Sequence, residues 1–386
     1  MVSHGLSDPV IRRRMPGIRT LVVLSALALV AGVAATGAAS ATATARHRAT
    51  VTSHKGSFLA CEVTDTGGIN DRSFNASAWQ GLQDAKKVDP SMTIHYESST
   101  SASDYEPNIK TFIGLHCGII ITVGYLMGTD TENAAKAHPT QDFAIVDDSY
   151  SPPIKNIDSL LYDTNQDAFL GGFLAAAMSR TGYVGTFGGE DIPTVTIYMD
   201  GWVAGVRYFD KVDHKHVVAL GWTPKKNRPK GSFDGSGTFT NSFTNQAAGR
   251  TDASALIQRG ADVIFPVAGS VGLGAAAEVK SYGHGVTMEW VDTDGCVSVP
   301  SDCGIFLTSV TKGIASSVEN AALSAAHGKF HGGNYFGTLK NGGVALSPYH
   351  DFATKIPMAL QNGLNQIKSM VEAGTISIDP NSYPAS

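Results

Sequence analysis

Carboxylates, an amide and an aromatic ring follow the first apolar run of the chain within a few residues. The run FLACEV (58–63) leads into TDTGGINDRSFN, which contains Asp65, Asp71, Phe74 and Asn75. A phosphate-binding loop would offer backbone amides and a lysine, whereas two carboxylates would repel a phosphate. This loop is therefore better suited to a ligand that offers hydroxyl groups and a flat ring.

Polar or small residues also end several later apolar runs. Asp147 ends FAIVD, Asp292 ends TMEWVD, Lys312 ends LTSVTK, and Gly269 ends VIFPVAG. Carboxylates at such positions can accept hydrogen bonds from a vicinal diol, which contribute ~1.5–3 kcal/mol each once water is excluded. The lysine could reach a ribose oxygen or hold an acidic neighbour in place.

Two phenylalanines complete the set of candidate ligand-binding residues. Phe74 and Phe243 (in TNSFTNQ) could stack on the two faces of a planar base, and stacking contributes ~1–3 kcal/mol per base. Each residue alone has an ordinary explanation as a helix cap, a core ring or a solvated charge. The combination predicts a binding site.

Strand-like and helix-like segments alternate along the chain and must position these residues. One array runs from 58 to 165 and a second from 183 to 328, in a chain of 386 residues with 42% hydrophobic residues. Two successive arrays of this kind predict an α/β protein with two doubly wound parallel sheets. Because ligands bind at the carboxyl ends of parallel strands, we expect the site in the cleft between the two domains.

The N-terminal segment predicts an exported protein. Basic residues precede LVVLSALALVAGVAA (21–35) and small residues follow it, which is typical of a secretory signal peptide over 1–42, with a linker over 43–56. The apolar stretch of about 15 residues is shorter than the ~20 that a membrane span needs. The first cysteine, Cys61, lies inside a predicted strand, so we do not expect a lipid anchor there. The protein should lie at the outer face of the plasma membrane or be secreted.

Charge and cysteines restrict the partners further. The net charge is −5 and becomes more negative without the arginine-rich leader, which argues against nucleic acid as a partner. Cys296 and Cys303 bracket a short loop and predict a disulfide, while the pairing of Cys61 with Cys117 stays open. A zinc site is the competing interpretation, but the spacing typical of zinc ligands is missing.

Two enzyme classes remain as alternatives. GSVGLGAAA (269–277) follows an apolar run and approximates a dinucleotide fingerprint, which would indicate an NAD-type oxidoreductase. Paired carboxylates in a cleft would also suit a secreted carbohydrate- or nucleoside-active enzyme. Neither the fingerprint, late in the second array, nor the carboxylate spacing demonstrates catalysis.

The motifs resemble one family throughout the predicted mature chain. TDTGGINDRSFNASAWQGL, FAIVDD, DAFLGGFLAAAMSRTGYVGTFGG, GADVIFPVAGSVGLGA, WVDTDG and LTSVTKGI occur in the order found in the basic membrane protein family. These are the substrate-binding proteins of ABC transporters that are similar to purine nucleoside receptor A.

The resemblance implies a type I periplasmic-binding fold, with two lobes joined by three crossings of the chain. It implies that Phe74 and Phe243 sandwich a nucleobase, that Asp65 and Asn75 border the ligand, and that Asp147, Gly269, Asp292 and Lys312 complete the site. It also implies a nucleoside ligand, a permease and an ATPase as partners, and no catalysis, cofactor or metal. We further expect a monomer, with a first lobe of 57–163 plus 292–330 and a second lobe of 164–291 plus 331–386.

Overall fold

Two six-stranded sheets organise the part of the chain that the computed structural model describes, residues 57–385. The predicted signal peptide and linker lie outside these residues. No helix within 57–385 is both long and apolar enough to cross a lipid bilayer.

The first lobe is built from alternating strands and helices. In chain order they are β1 (Leu59–Thr64), α1 (Phe74–Val88), β2 (Thr93–Ser98), α2 (Tyr105–Gly114), β3 (Ile119–Val123), α3 (Gly128–Ala137), β4 (Asp142–Val146) and β5 (Ile157–Tyr162). The strands pair in parallel in the order β2-β1-β3-β4-β5. Every residue of β3, IIITV, is buried, because helices cover both faces of the sheet.

The second lobe repeats this order. Its elements are α4 (Asn165–Met178), β6 (Tyr183–Gly188), α5 (Pro193–Asp213), β7 (Val218–Leu220), β8 (Trp222–Pro224), β9 (Gly235–Gly237), α6 (Gln246–Gln258), β10 (Val263–Val267), α7 (Val271–Tyr282), β11 (Thr287–Asp292), α8 (Gly295–Ser298) and β12 (Phe306–Lys312). The parallel strands lie in the order β7-β6-β10-β11-β12, and β8 and β9 form a separate hairpin. Both lobes are therefore doubly wound, as predicted.

The chain crosses between the lobes three times. It passes from β5 to α4, then from β12 to α9 (Ile314–Ala326), and finally from β13 (Gly333–Gly337) to β14 (Val344–Leu346), before α10 (Met358–Glu372). β13 adds in parallel to β5, and β14 adds antiparallel to β12. The three crossings confirm the predicted fold class.

The lobe boundaries differ from those expected from the sequence. The expected first lobe included 292–330, yet β12 pairs with β11 in the second sheet. The expected second lobe included 331–386, yet β13 pairs with β5 in the first sheet. The apolar pattern of a strand shows that it is buried but does not show which of two similar sheets it joins.

Two glycines allow α4 and α5 to pack at close range beside the crossings. A Cβ at Gly172 would overlap the backbone carbonyl of Trp202, and one at Gly205 would overlap that of Phe169. Residues from Asp167 to Ala176 of α4 are all buried. This explains why the segment LGGFLAAA combines small residues with large apolar ones.

All four cysteines are in disulfides. Cys296–Cys303 closes the loop after β11, which confirms that prediction, and Cys61–Cys117 joins β1 to the turn before β3. No thiolate is therefore available for the zinc site considered above. Each crosslink stabilises the fold mainly by restricting the unfolded chain.

A carboxyl group is buried in the core of the second lobe. Glu289 in β11 is fully buried, and its Oε2 accepts a hydrogen bond from Trp202 Nε1 at 2.7 Å. Its Oε1 has no hydrogen-bond partner among residues 57–385. Burial raises the pKa of Glu289 to about 8, so the native state holds a proton here at neutral pH.

This proton makes folding stability depend on pH. Between the unfolded pKa of 4.5 and the folded pKa of about 8, unfolding releases the proton, so stability falls as pH rises, by at most ~1.4 kcal/mol per pH unit. We expect Glu289→Gln, which keeps an acceptor for Trp202, to flatten this decline. Urea unfolding of both proteins from pH 5 to 8 measures it, with exposed Glu97→Gln as the control. If the stability of wild type, Glu289→Gln and Glu97→Gln falls equally with pH, the buried proton does not belong to Glu289.

Candidate functional site

All eight predicted ligand-binding residues line one pocket between the lobes. They are Asp65, Phe74, Asn75, Asp147, Phe243, Gly269, Asp292 and Lys312. The cavity measures about 520 Å³, including the space at its mouth. Strand ends of both sheets contribute to it, as the topology predicts.

The loop after β1 is organised around Asp71. Its carboxylate is 2% exposed and accepts hydrogen bonds from the backbone N–H groups of Ser73, Asn75 and Ala76, at 2.8–3.0 Å. Asp71 thus satisfies free N–H groups at the start of α1, a role that an N-cap side chain usually has. This holds Phe74 and Asn75, the first residues of α1, at the wall of the pocket.

A second segment brings Phe243 to the opposite side. After the β8–β9 hairpin, Thr240 N donates to Gly188 O at 3.0 Å, which extends the chain along the end of β6. Ser270 Oγ then donates to the carbonyl of Phe243 at 2.8 Å. Gly269, just before Ser270, has a φ of +54°, a conformation that glycine adopts without strain.

Lys312 lies between carboxylates from both lobes. Its Nζ is 2.5 Å from Asp147 Oδ2 in the first lobe and 3.7 Å from Asp292 Oδ1 in the second. It also lies 4.9 Å from the centre of the Phe74 ring. Burial alone would lower the pKa of Lys312, but the charges of Asp147 and Asp292 outweigh it and the pKa is raised. Lys312 is therefore a cation.

The two carboxylates occupy equivalent places in the two sheets. Asp147 directly follows β4 and Asp292 ends β11, the fourth strand in each repeated order. Both have left-handed backbone conformations, with φ of +72° and +66°. Such conformations are uncommon outside glycine, although aspartate tolerates them, and they often occur at functional sites.

Direct contacts between the lobes border the pocket. Ser73 Oγ in the first lobe lies 2.9 Å from both Val291 O and Asp292 Oδ2 in the second. The carbonyl of Arg72 accepts hydrogen bonds from Trp290 Nε1 at 3.3 Å and Thr293 Oγ1 at 3.1 Å. These contacts hold the two lobes together, and the bond from Ser73 also engages Asp292, which lines the pocket.

Sequence reasoning missed four polar residues that line the pocket: Asp71, Tyr125, Thr194 and Tyr198. Asp71 was noticed as unusual but was not assigned to the site. Tyr198 lies in α5, and its hydroxyl donates to Asp292 Oδ1 at 3.1 Å. The only signal for Tyr198 is a hydroxyl on an otherwise apolar helix face, which is also typical of a core tyrosine.

The charges around Lys312 predict a large effect of removing it. Lys312→Met leaves Asp147 and Asp292 buried without their cation, and breaking a buried pair from one side typically costs ~3–5 kcal/mol. We expect this decrease in the free energy of unfolding of ligand-free protein at neutral pH, with partial recovery on adding Asp147→Asn. Exposed Lys329→Met is the control. A decrease no larger than that of Lys329→Met would show that the pair does not stabilise the fold.

Comparison with known proteins identifies similar sequences. The model of the family described as "ABC transporter substrate-binding protein PnrA-like" matches residues 58–229 and 237–374. The chain is 31% identical to the "ABC transporter nucleoside-binding protein BmpA" of Lactococcus lactis over 84% of this chain and 88% of that protein. It is 30% identical to the "CD4+ T-cell-stimulating antigen" of Listeria monocytogenes over 83% of this chain and 88% of that protein.

Solved structures support the fold. An ABC transporter solute-binding protein from Aeropyrum pernix superposes with a TM-score of 0.72 at 22% identity, covering 83% of this chain and 92% of that one. The matching family consists of substrate-binding proteins and not of enzymes. From the match over most of its length, the chain belongs to the PnrA-like family of ABC transporter substrate-binding proteins.

Proposed function

We propose that this protein binds a nucleoside in the pocket between its lobes and delivers it to the permease of an ABC importer. The observation that carries the proposal is the division of one pocket into an aromatic part and a charged part. Phe74 and Phe243 come from different lobes, and so do Asp147 and Asp292 beside Lys312. A nucleoside has the matching halves, a flat base and a pentose with hydroxyl groups.

The charged part has the chemistry to bind the pentose. Carboxylates accept hydrogen bonds from hydroxyl groups, and the ammonium of Lys312 donates to a ribose oxygen. Because Asp147 and Asp292 are buried, each such bond forms with little competition from water. The name of the Lactococcus lactis relative, a nucleoside-binding protein, agrees with this interpretation.

Delivery follows from the two-lobed architecture. A ligand that contacts both lobes favours the conformation in which they are closed, and a transporter can then recognise that conformation. The permease and ATPase lie in the plasma membrane, so this protein functions outside the cytoplasm. The signal peptide expected over 1–42 supplies the route of export.

Calorimetry with nucleosides tests the binding role. We expect guanosine or inosine to bind the mature protein one to one, and Phe74→Ala or Phe243→Ala to weaken binding about 5- to 150-fold, as expected for loss of one stacked ring. Phe336→Ala, a 51% exposed ring on β13, is the control and should leave affinity unchanged. Wild-type affinity in both pocket variants would contradict the stacking of the base between the two rings.

The same samples test the enzyme alternatives. A substrate-binding protein should return the nucleoside unchanged, which chromatography after long incubation checks. Release of free base or phosphorylated product in proportion to protein concentration would support an enzyme instead.

Uptake measurements test delivery. In the organism that encodes this protein, deletion of its gene should lower uptake of labelled nucleoside at submicromolar concentration. Restoring the wild-type gene, but not one encoding Phe243→Ala, should recover uptake. Normal uptake in the deletion strain, with tight binding in vitro, would argue against a transport role.

A further inference from the structure

The side-chain amide of Asn75 has a fixed orientation in the pocket. Its Nδ2 donates to Asp65 Oδ1 at 2.8 Å and to Asp71 Oδ2 at 3.1 Å, which uses both amide hydrogens. A flipped amide would place its oxygen against two carboxylates, so this orientation is strongly favoured. Asn75 Oδ1 is therefore left as an acceptor, and it has no partner among residues 57–385 although the side chain is 1% exposed.

The carboxylate of Asp65 supplies a second acceptor beside it. Its Oδ1 accepts hydrogen bonds from Gly67 N at 2.9 Å and from Asn75 Nδ2. Within residues 57–385 its Oδ2 has no hydrogen-bond donor, and it lies beside Gly124, where a Cβ would come within 2.9 Å of it. Burial raises the pKa of Asp65 only to about 6, so at neutral pH the group is ionised and cannot donate.

Asp71, the third polar side chain of this loop, is already satisfied. Asp71 accepts four hydrogen bonds from its own loop and from Asn75. Lys312 and Tyr198 contact Asp147 and Asp292 and belong to the charged part of the pocket that is assigned above to the pentose. Among the side chains of Asp65, Asp71 and Asn75, the polar atoms left without a partner are thus two acceptors, and a buried acceptor without a donor is unfavourable. The bound molecule must supply N–H or O–H donors there.

We propose that this pair of acceptors, Asp65 Oδ2 and Asn75 Oδ1, selects 6-oxopurine nucleosides over adenosine, an inference that rests on the nucleoside-binding function proposed above. Guanine presents two adjacent donors on one edge, N1–H and the 2-amino group, and hypoxanthine presents N1–H alone. Adenine offers only its 6-amino group as a donor on this edge and has a lone pair at N1, which would face the other acceptor. A site built to accept hydrogen bonds rejects an analogue that lacks the donor more strongly than an apolar pocket rejects a change of size.

A series of ligands tests this on the unchanged mature protein. Guanosine, inosine and purine riboside differ in the number of donors on this edge, from two to one to none, with the same ribose. We expect affinity at pH 7.5 to fall about 10- to 100-fold at each step, because each loses a hydrogen bond to a buried acceptor. N1-methylguanosine and adenosine should also bind at least about 10-fold more weakly than guanosine.

One variant assigns the effect to Asp65. Asp65→Asn can present N–H groups as well as an oxygen, so the ratio of guanosine to adenosine affinity should fall by about 10-fold or more. Asp130→Asn, which alters a carboxyl of the same lobe outside the pocket, should leave the ratio unchanged. A ratio is informative here, because general damage to the fold would weaken both ligands alike. If Asp65→Asn does not fold, the ligand series alone decides.

The outcomes separate this inference from the function on which it rests. If no nucleoside binds, the nucleoside-binding function is wrong and the selectivity with it. If guanosine, inosine, adenosine and purine riboside all bind within about threefold, or adenosine binds most tightly, nucleoside binding stands and the selectivity is overturned.

Discussion

The buried ammonium of Lys312 is the charge on which the arrangement of the site depends. It ends β12 immediately before the second crossing, where the chain passes from one lobe to the other. A lone buried ammonium is strongly unfavourable, and so is a lone buried carboxylate. Asp292 lies beside it within the second lobe, whereas Asp147 comes from the first lobe, so the charge of Asp147 is compensated only when the two lobes are close together.

The repeated strand order explains why these groups meet. Each lobe has the same order of five parallel strands, and the carboxyl ends of both sheets face the cleft. Asp147 and Asp292 hold the same place in their sheets, so each lobe contributes one carboxylate to the same cation. The left-handed backbone at both positions turns the chain sharply at the strand end, and a short polar side chain suits that conformation.

The sequence predicted the fold class from its alternating pattern, and the strand-end residues of the pocket from the rule that ligand-facing residues follow parallel strands. Phe74, Phe243 and Asn75 were predicted instead from ring stacking and from the family resemblance. It could not assign β12 and β13 to their sheets, because both lobes share one strand pattern. Tyr198 was missed because it comes from a helix, where a tyrosine resembles a core residue. The proton held by Glu289 was also beyond prediction, since a glutamate in a strand pattern gives no sign that its partner is Trp202.

Affinity and selectivity arise from different parts of the molecule. The hydrogen bonds of Arg72 and Ser73 to the second lobe do not use Asp65 or Asn75, so they favour closure around any ligand that fits. Asp65 and Asn75 belong to the first lobe alone, and they distinguish ligands by the hydrogen-bond donors on the edge of the base that faces them. Asp71 organises the loop that carries both Ser73 and Asn75, so closure of the lobes and selectivity for the ligand both depend on Asp71. A change at Asp71 should therefore alter closure and selectivity together, whereas changes at Ser73 or Asp65 alter them one at a time.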